Sequence, residues 1–272
     1  MTGRGKAGTP IPPLLPPRDL TLTTRPVPQE RLFDVRSVGP GAAPDITNTA
    51  EPFPDLKDRA GPFSARDRCG DAMYLLDKLD GLRDPTWGFY VFVTSYTEAA
   101  MDNLEPAAQK LVEIVRRALE AKAHPALAAE AYKRFRLDLV QDRDALEGAS
   151  DDRIREEFNA LLRGHGLWPE GCSQRGPLRP ARRFVCFVFD EATILELANL
   201  LFPQEVKDDY EALENVTIKI IDRAWHRPTI GRGSYPGVDR CPVYGLVGVY
   251  HMTGDGDSRS MKDIYPMSRC FY

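Results

Sequence analysis

Two short, unbroken apolar runs stand out along the chain, at residues 89–93 and 184–189. Both are rich in β-branched and aromatic residues, which is typical of strands buried on both faces of a sheet. Between them, Phe135, Leu137 and Leu139 alternate with charged residues. This period of two predicts a strand with one wet face, and we expect that strand at the edge of the sheet.

Helical periodicity separates these strands. Apolar residues recur at three- and four-residue spacing over 104–119, which predicts a long amphipathic helix. A second helix is predicted between Ser150, a good N-cap, and Gly164, a residue type that often ends helices. A third is predicted to begin after Asp190, whose carboxylate suits the capping position.

Two further strands are predicted near the end of the chain, at 216–222 and at 243–250. The alternation of strand and helix favours an α/β fold, a five-stranded, mostly parallel sheet with helices on both faces. If the two fully apolar strands are central, the strand order is 2-1-3-4-5, as in flavodoxin-like folds. The alternative is a ferredoxin-like α+β sandwich, built on an antiparallel sheet with the same two strands in the centre.

The N-terminal part of the chain has a different composition. Twelve of the 23 prolines fall in residues 1–62, among scattered apolar residues. Such a segment buries too little apolar surface to offset the entropy lost on ordering. We therefore predict a disordered, proline-rich arm over 1–82 with a short helix near 71–80, a single α/β domain over 83–252, and a C-terminal tail over 253–272.

Bulk properties exclude several classes of protein. Forty acidic and 36 basic side chains give a net charge of −4, so no global field attracts nucleic acid or anionic lipid. The chain has no run of about 18 apolar residues and no apolar signal region in 1–17, so we expect a cytoplasmic protein without a membrane partner. Five cysteines without a CxxC pair, and the absence of a Walker loop, GxGxxG or GxSxG, lead us to expect no metal and no cofactor.

Polar residues follow the ends of the predicted strands. Ser95 and Tyr96 follow the first strand, Asp142 the second, Asp190 the third and Asp222 the fourth. In a parallel sheet these ends meet at one edge, and such folds bind ligands there. Grouped carboxylates can serve as general acid and base, hold a divalent cation, or bind a guanidinium or ammonium group. Equally, Asp142 fits a turn and Asp190 a helix cap; in the ferredoxin-like alternative no common pocket forms.

Several residue groups resemble a large family of uncharacterised fungal cytosolic proteins. The groups are Trp87-Gly88, the segment DRDALEGAS at 142–150, RFVC at 183–186, Asp190-Glu191, Asp222, Trp225, Cys241 and Tyr244. The DRxxLxGAS segment is the most specific of them. In that family the last strand often carries Gly-Trp-Met, whereas this chain has Gly248-Val249-Tyr250, so no role for that tryptophan carries over.

By its length and lack of a recognisable domain signature, the chain is also similar to the arginine-containing cyclodipeptide synthases, although none of their catalytic motifs can be matched. This resemblance implies a tRNA-dependent transferase of secondary-metabolite biosynthesis, with aminoacyl-tRNA and an amino-acid substrate as partners. One acid would bind the guanidinium, another would take the α-ammonium proton, and a hydroxyl would assist acyl transfer or stabilise the oxyanion. The candidate catalytic residues are Ser95, Tyr96, Asp142 and Asp190; the candidate substrate-binding residues are Glu191, Asp222 and Trp225.

Two other classes of function fit the same residues. In a non-enzymatic binding or interaction protein, the arm recruits partners and the carboxylates only cap helices and turns. In a metal-dependent hydrolase, the same acids hold a divalent cation. For the synthase, the arginines of 175–183 are expected to meet tRNA phosphate.

Overall fold

A six-stranded mixed sheet forms the centre of the protein. The computed structural model describes residues 35–38, 72, 75–76, 78–79, 86–123, 125–164, 181–206, 209–225 and 235–253. The strands are β1 (Val35–Val38), β2 (Trp87–Val93), β3 (Phe135–Val140), β4 (Val185–Phe189), β5 (Thr217–Asp222) and β6 (Val238–Pro242). Their order in the sheet is β1-β3-β2-β4-β5-β6.

The predicted α/β class is confirmed. Without β1, the order β3-β2-β4-β5-β6 is the predicted 2-1-3-4-5. Strand β2 is parallel to both of its neighbours, β3 and β4, which rules out the antiparallel ferredoxin-like alternative. Strand β5 is antiparallel to both β4 and β6, so one strand of the sheet runs against the others.

Strand β3 is not at the edge, contrary to the prediction from its alternating pattern. Strand β1, which lies within the range 1–82 predicted to be a disordered arm, pairs with β3 over four residues. All six residues of β3 are buried, including Arg136 and Asp138. Arg136 Nε lies 3.7 Å from Asp138 Oδ1. The charged residues of this strand are therefore buried as a pair of opposite charges. An alternating sequence pattern looks the same whether its charged face is buried in this way or exposed to water.

The last strand lies earlier than predicted. Strand β6 ends at Pro242, and the apolar stretch predicted as a strand forms a 3₁₀ turn, Val243–Gly245, followed by a helix, Leu246–Met252. Val249 and Tyr250 of this helix are fully buried. A short apolar run fits either a strand or a buried helix, and here tertiary packing selected the helix.

Helices cover both faces of the sheet, as predicted. They are α1 (Glu98–Lys122), α2 (Pro125–Lys133), α3 (Arg143–Leu146), α4 (Asp151–Gly164), α5 (Glu191–Ala198), α6 (Asp209–Leu213) and α7 (Leu246–Met252). On one face, Phe158 of α4 packs on Phe92 with ring centroids 5.9 Å apart. On the other face, Tyr250 of α7 packs on Phe89 at 5.8 Å.

A segment ahead of β2 also belongs to the core. The described residues of the predicted helix near 71–80 are helical, and Leu75 and Leu79 are fully buried; its other residues lie outside the described part. The Lys78 ammonium donates hydrogen bonds to the carbonyls of Tyr250, His251 and Thr253 at 2.8–3.1 Å. These carbonyls end α7, where the helix dipole favours a positive charge. The segment is thereby joined to the C-terminal end of α7.

Candidate functional site

The carboxyl ends of β2, β3 and β4 lie at one edge of the sheet. Five of the seven candidate residues follow these ends: Ser95 and Tyr96 after β2, Asp142 after β3, and Asp190 and Glu191 after β4. Val93 is in register with Phe189, so the β2 and β4 loops begin side by side. The chain moves from β2 to β3 on one side and later to β4 on the other. The carboxyl ends of β2 and β4 therefore meet at a topological switch point, the position where α/β sheets bind ligands.

Backbone hydrogen bonds at Thr94 join the three loops. Its N–H donates to the Phe189 carbonyl at 2.9 Å, and its own carbonyl accepts from the Gly148 N–H at 3.0 Å. Gly148 has a φ of +64°, a backbone conformation that glycine adopts without strain. This requirement gives a physical reason for the glycine of the DRxxLxGAS segment. The loops after β2, β3 and β4 thus form one connected surface.

Tyr96 lies across the end of β3. Only 7% of its surface is exposed, and its hydroxyl oxygen accepts a hydrogen bond from the Asp142 N–H at 2.7 Å. The Arg143 guanidinium donates to the Tyr96 carbonyl and lies over the Tyr96 ring, 5.6 Å from its centroid. Burial raises the pKa of the Tyr96 hydroxyl above its usual value of 10.0. The side chain is therefore a neutral phenol at physiological pH.

The two aspartates at this edge cap helices. Asp142 Oδ1 accepts from the Ala145 N–H at 3.1 Å, and Asp190 Oδ1 accepts from the Thr193 N–H at 2.9 Å. Asp190 thus caps a helix, as its structural explanation had it, and Asp142, which was expected in a turn, also caps a helix. Each cap uses one carboxylate oxygen, and the second oxygen of Asp190 has no hydrogen-bond partner among the described residues.

A side-chain hydrogen bond also joins the first turns of α1 and α5. The Thr97 hydroxyl caps α1 by accepting from the Ala100 N–H, and it donates to Glu191 Oε1 at 2.9 Å. The sequence analysis missed Thr97, although a threonine directly before Glu98 is an N-cap signal. It missed Arg143 as well, which stands inside the DRxxLxGAS segment.

Ser95 is half-buried between these groups. Its hydroxyl makes no hydrogen bond with any residue in the described part of the chain. Ser95 directly follows Thr94, whose N–H donates a hydrogen bond to the Phe189 carbonyl. Asp190 directly follows Phe189. A half-buried hydroxyl and a carboxylate oxygen at the switch point thus both lack hydrogen-bond partners within the described part of the chain, and both can bind a ligand.

Asp222 and Trp225 lie elsewhere, so the expectation that all four strand ends share one edge is wrong. Strand β5 runs against β4, and its last residue, Asp222, pairs with Val185, the first residue of β4. The carboxyl end of β5 is therefore at the opposite edge of the sheet. The hydrophobic pattern of a strand carries no information about its direction.

At that opposite edge, Asp222 is held by hydrogen bonds. Its Oδ1 accepts from the Ala224 N–H at 2.8 Å, and its Oδ2 accepts from the Tyr235 hydroxyl at 3.3 Å. The buried Arg155 of α4 donates from Nε to the Asp222 carbonyl at 2.8 Å. Trp225 Nε1 donates to the Tyr235 carbonyl at 3.0 Å. These contacts fasten the end of β5 to the segment that leads into β6.

Arg155 also lies over Trp225, with its guanidinium 4.9 Å from the ring. Gly237 has a φ of +79°, and a Cβ there would lie 2.2 Å from the Trp225 side chain. Trp225 is thus packed between a guanidinium and a glycine backbone. Arg155, which the sequence analysis missed, is the residue that connects this cluster to α4. The sequence feature that could have indicated it is a charged residue next to Ile154, on the apolar face of the helix.

The basic segment expected to meet tRNA also reaches the opposite edge. Of residues 175–183, the structure describes Ala181–Arg183, a 3₁₀ turn that leads into the amino end of β4. Arg182 donates to the Thr86 hydroxyl at 3.3 Å. The described part of this segment is therefore separated from the switch point by the length of β4.

We expect the buried Asp222 carboxyl to lower the stability of the protein as pH rises. Burial raises its pKa above the usual 3.8, outweighing the hydrogen bonds from Ala224 and Tyr235 and the charge of Arg155. In the window between the unfolded and the folded pKa, the folded protein binds more protons, so its free energy of unfolding falls as pH increases. Each pKa unit of separation corresponds to about 1.4 kcal/mol.

The Asp222→Asn variant removes this charge and keeps an oxygen acceptor for the Ala224 N–H. The free energy of unfolding of the variant minus that of the wild type should therefore increase as pH rises above the pKa of Asp222 in the unfolded chain. The difference should become constant above the pKa of Asp222 in the folded protein. Urea unfolding of both proteins from roughly pH 3 to pH 8 measures the difference. Asp144→Asn, which changes an exposed residue of α3, is the matched control. A difference for Asp222→Asn that does not vary with pH would contradict the prediction.

The fold and the site define the described chain as an α/β protein with hydroxyl and carboxyl groups at the switch point between β2 and β4. No family model, curated protein or solved structure matches it. None of the described helices is long and apolar enough to span a membrane. Within the same residues, no three His, Cys, Asp or Glu side chains are grouped as metal ligands.

Proposed function

We propose that this protein condenses aminoacyl-tRNAs to an arginine-containing cyclic dipeptide at the switch point between β2 and β4. The observation that carries the proposal is the hydrogen-bonded meeting of three loops there. It brings the Ser95 hydroxyl, which has no hydrogen-bond partner among the described residues, and the neutral Tyr96 phenol to the same edge as the acids after β3 and β4. Hydroxyls and acids are the groups that acyl transfer between activated amino acids requires.

The charge of this edge favours a cationic substrate. Asp142, Asp190 and Glu191 lie there, and the basic residues Arg143 and Lys219 near them pair with other acids, Glu147 and Asp151. A carboxylate binds a guanidinium or an ammonium group by charge-assisted hydrogen bonds. The oxygen of Asp190 that does not cap α5 is suited to this contact, and Glu191 is a second acceptor close to it.

The chemistry balances without a nucleotide cofactor. The α-amine of one aminoacyl group attacks the ester carbonyl of the other, and the ribose oxygen of the tRNA leaves with the amine proton. A second attack in the opposite direction closes the ring, so two amide bonds form while two ester bonds break. A carboxylate such as Asp190 takes the ammonium proton, and Ser95 or Tyr96 supplies the hydroxyl for acyl transfer or oxyanion stabilisation.

Expression of the full chain in a host that supplies aminoacyl-tRNAs tests the proposal. Mass spectrometry of the extracted small molecules should show an arginine-containing cyclic dipeptide. Asp190→Asn should reduce that product at least about 100-fold, because asparagine caps a helix as well as aspartate does but provides no base. Ser95→Ala should also lower it strongly, whereas Asp222→Asn, at the other edge, should keep it.

A matched alanine variant separates the catalytic role of Asp190 from its capping role. Asp190→Ala should lose about 1 kcal/mol of stability in addition to activity, since the cap is removed. If Asp190→Asn made as much product as the wild type, capping alone would account for this residue. Absence of any cyclic dipeptide from the wild type would overturn the synthase proposal. It would favour the non-enzymatic binding protein, which the capping hydrogen bonds of Asp142 and Asp190 also support.

A further inference from the structure

We infer that the Tyr96 hydroxyl is the hydrogen-bond donor to the carbonyl oxygen of the substrate, and that Arg143 is the residue that positions it. The inference deepens the proposed function and rests on it. It assigns a specific role to the Tyr96 hydroxyl, whereas the sequence pattern allowed either Ser95 or Tyr96 to take that role.

The hydrogen bond from Asp142 determines what the Tyr96 hydroxyl can do. A phenol has one proton to donate and lone pairs to accept with. The oxygen accepts from the Asp142 N–H at 2.7 Å, so the hydroxyl proton is directed away from that N–H. This proton has no acceptor among the residues that the structure describes. The Tyr96 hydroxyl can therefore act on a ligand as a donor, whereas the half-buried Ser95 hydroxyl makes no hydrogen bond with any of the same residues.

Burial makes this donor effective. Tyr96 is more than nine-tenths buried, and this burial raises the pKa of its hydroxyl, which is protonated at physiological pH. A hydrogen bond made away from water is electrostatically stronger than one in solution. A donor already held in place costs no reorganisation when negative charge develops on a carbonyl oxygen.

Arg143 holds Tyr96 from the solvent side. Its guanidinium donates to the Tyr96 carbonyl and covers the ring at 5.6 Å, while its side chain is 60% exposed. It also lies 3.7 Å from Glu147. Arg143 thus contacts both the backbone and the ring of Tyr96 and makes no hydrogen bond to the hydroxyl, as expected of a positioning residue.

The surroundings indicate which ligand oxygen this donor serves. A phosphate or a free carboxylate would be repelled by the acids Asp142, Asp190 and Glu191 at the same edge. The carbonyl of an aminoacyl ester is neutral in the ground state and gains negative charge only when it is attacked. An acyl ester that carries a cationic amine, with its carbonyl on Tyr96, satisfies both constraints.

Steady-state kinetics of the full chain with arginyl-tRNA test this role. Tyr96→Phe keeps the ring and removes only the hydroxyl. We expect kcat to fall by about 100- to 1,000-fold, the usual cost of one oxyanion donor, with little change in KM. Arg143→Met should lower kcat less, and Arg143→Lys should not restore it, because an ammonium lacks the planar fork of a guanidinium. An unchanged kcat in Tyr96→Phe would overturn the inference while the synthase activity stood.

A binding measurement on the wild type needs neither turnover nor a folded variant. The probe is arginine joined by an amide bond to 3′-amino-3′-deoxyadenosine. It is titrated into the full chain, in which the Cζ atom of Tyr96 is labelled with ¹³C for NMR. A shift of the Tyr96 signal on titration supports the donor contact. If the wild type makes no product but the signal shifts, the proposed reaction is wrong and the contact stands. If there is neither product nor shift, both proposals are overturned.

Discussion

Replacing Gly88 by alanine is expected to abolish stable pairing between β2 and β3. Gly88 has a φ of +139°, and a Cβ there would lie 1.7 Å from the Arg136 carbonyl oxygen. Arg136 is the register partner of Gly88, so the clash is with the backbone of the neighbouring strand. The two strands would have to separate, and we expect a loss above about 4 kcal/mol, which belongs to the exceptional range for single substitutions.

Urea unfolding of the purified protein measures this effect. Gly164→Ala is the matched control, because a Cβ at Gly164 meets no atom of the described residues within 4 Å. It should change stability by no more than about 0.5 kcal/mol. Since β2 leads directly to Tyr96, Gly88→Ala should also disturb the hydrogen bond between Tyr96 and Asp142. Equal unfolding midpoints for the two variants would refute the close approach of β2 and β3.

Breaking the buried ion pair between α1 and α6 is expected to have the second large effect. Arg117 Nε and one of its terminal nitrogens each lie 2.6 Å from a carboxylate oxygen of Asp209, which is fully buried. Arg117 also donates to the Pro203 carbonyl at 2.9 Å. Arg117→Met leaves the Asp209 charge buried without its partner, and we expect a loss of about 3–5 kcal/mol.

A double variant shows whether the loss comes from the stranded charge. Arg117→Met combined with Asp209→Leu should recover most of the stability, because apolar residues can replace a buried pair without a desolvation cost. Arg153→Ala is the control: its pair with Glu157 is half-exposed and should contribute less than about 1 kcal/mol. If Arg117→Met cost no more than Arg153→Ala, the pair would not be a structural element of the core.

The caps and central strands followed from local pattern. Asp190 and Ser150 cap α5 and α4 as predicted, since an N-cap acts on backbone groups within three residues of itself. The apolar runs of β2 and β4 form neighbouring parallel strands in the centre of the sheet. Five candidate residues share one edge because each follows the end of its strand in the sequence, and β2, β3 and β4 are parallel.

Other features depend on residues far apart in the chain. Strand β1 finds β3 across about a hundred residues, and Lys78 bonds Tyr250 across 172. The sequence pattern around one residue of such a pair does not predict which residue is its partner. Arg155 and Arg117 look like surface residues of amphipathic helices, and only their partners, Asp222 and Asp209, account for their burial.

The sequence by itself determined the α/β class, the order of five strands and the helix caps, because burial period and capping are properties of a few adjacent residues. Only the tertiary structure decided the direction of β5, and with it the removal of Asp222 and Trp225 from the switch point. It also decided that the stretch after Pro242 is helical. The physical reason is that direction and packing are chosen by the global burial of apolar surface, and an apolar run of a given length satisfies that burial in more than one arrangement.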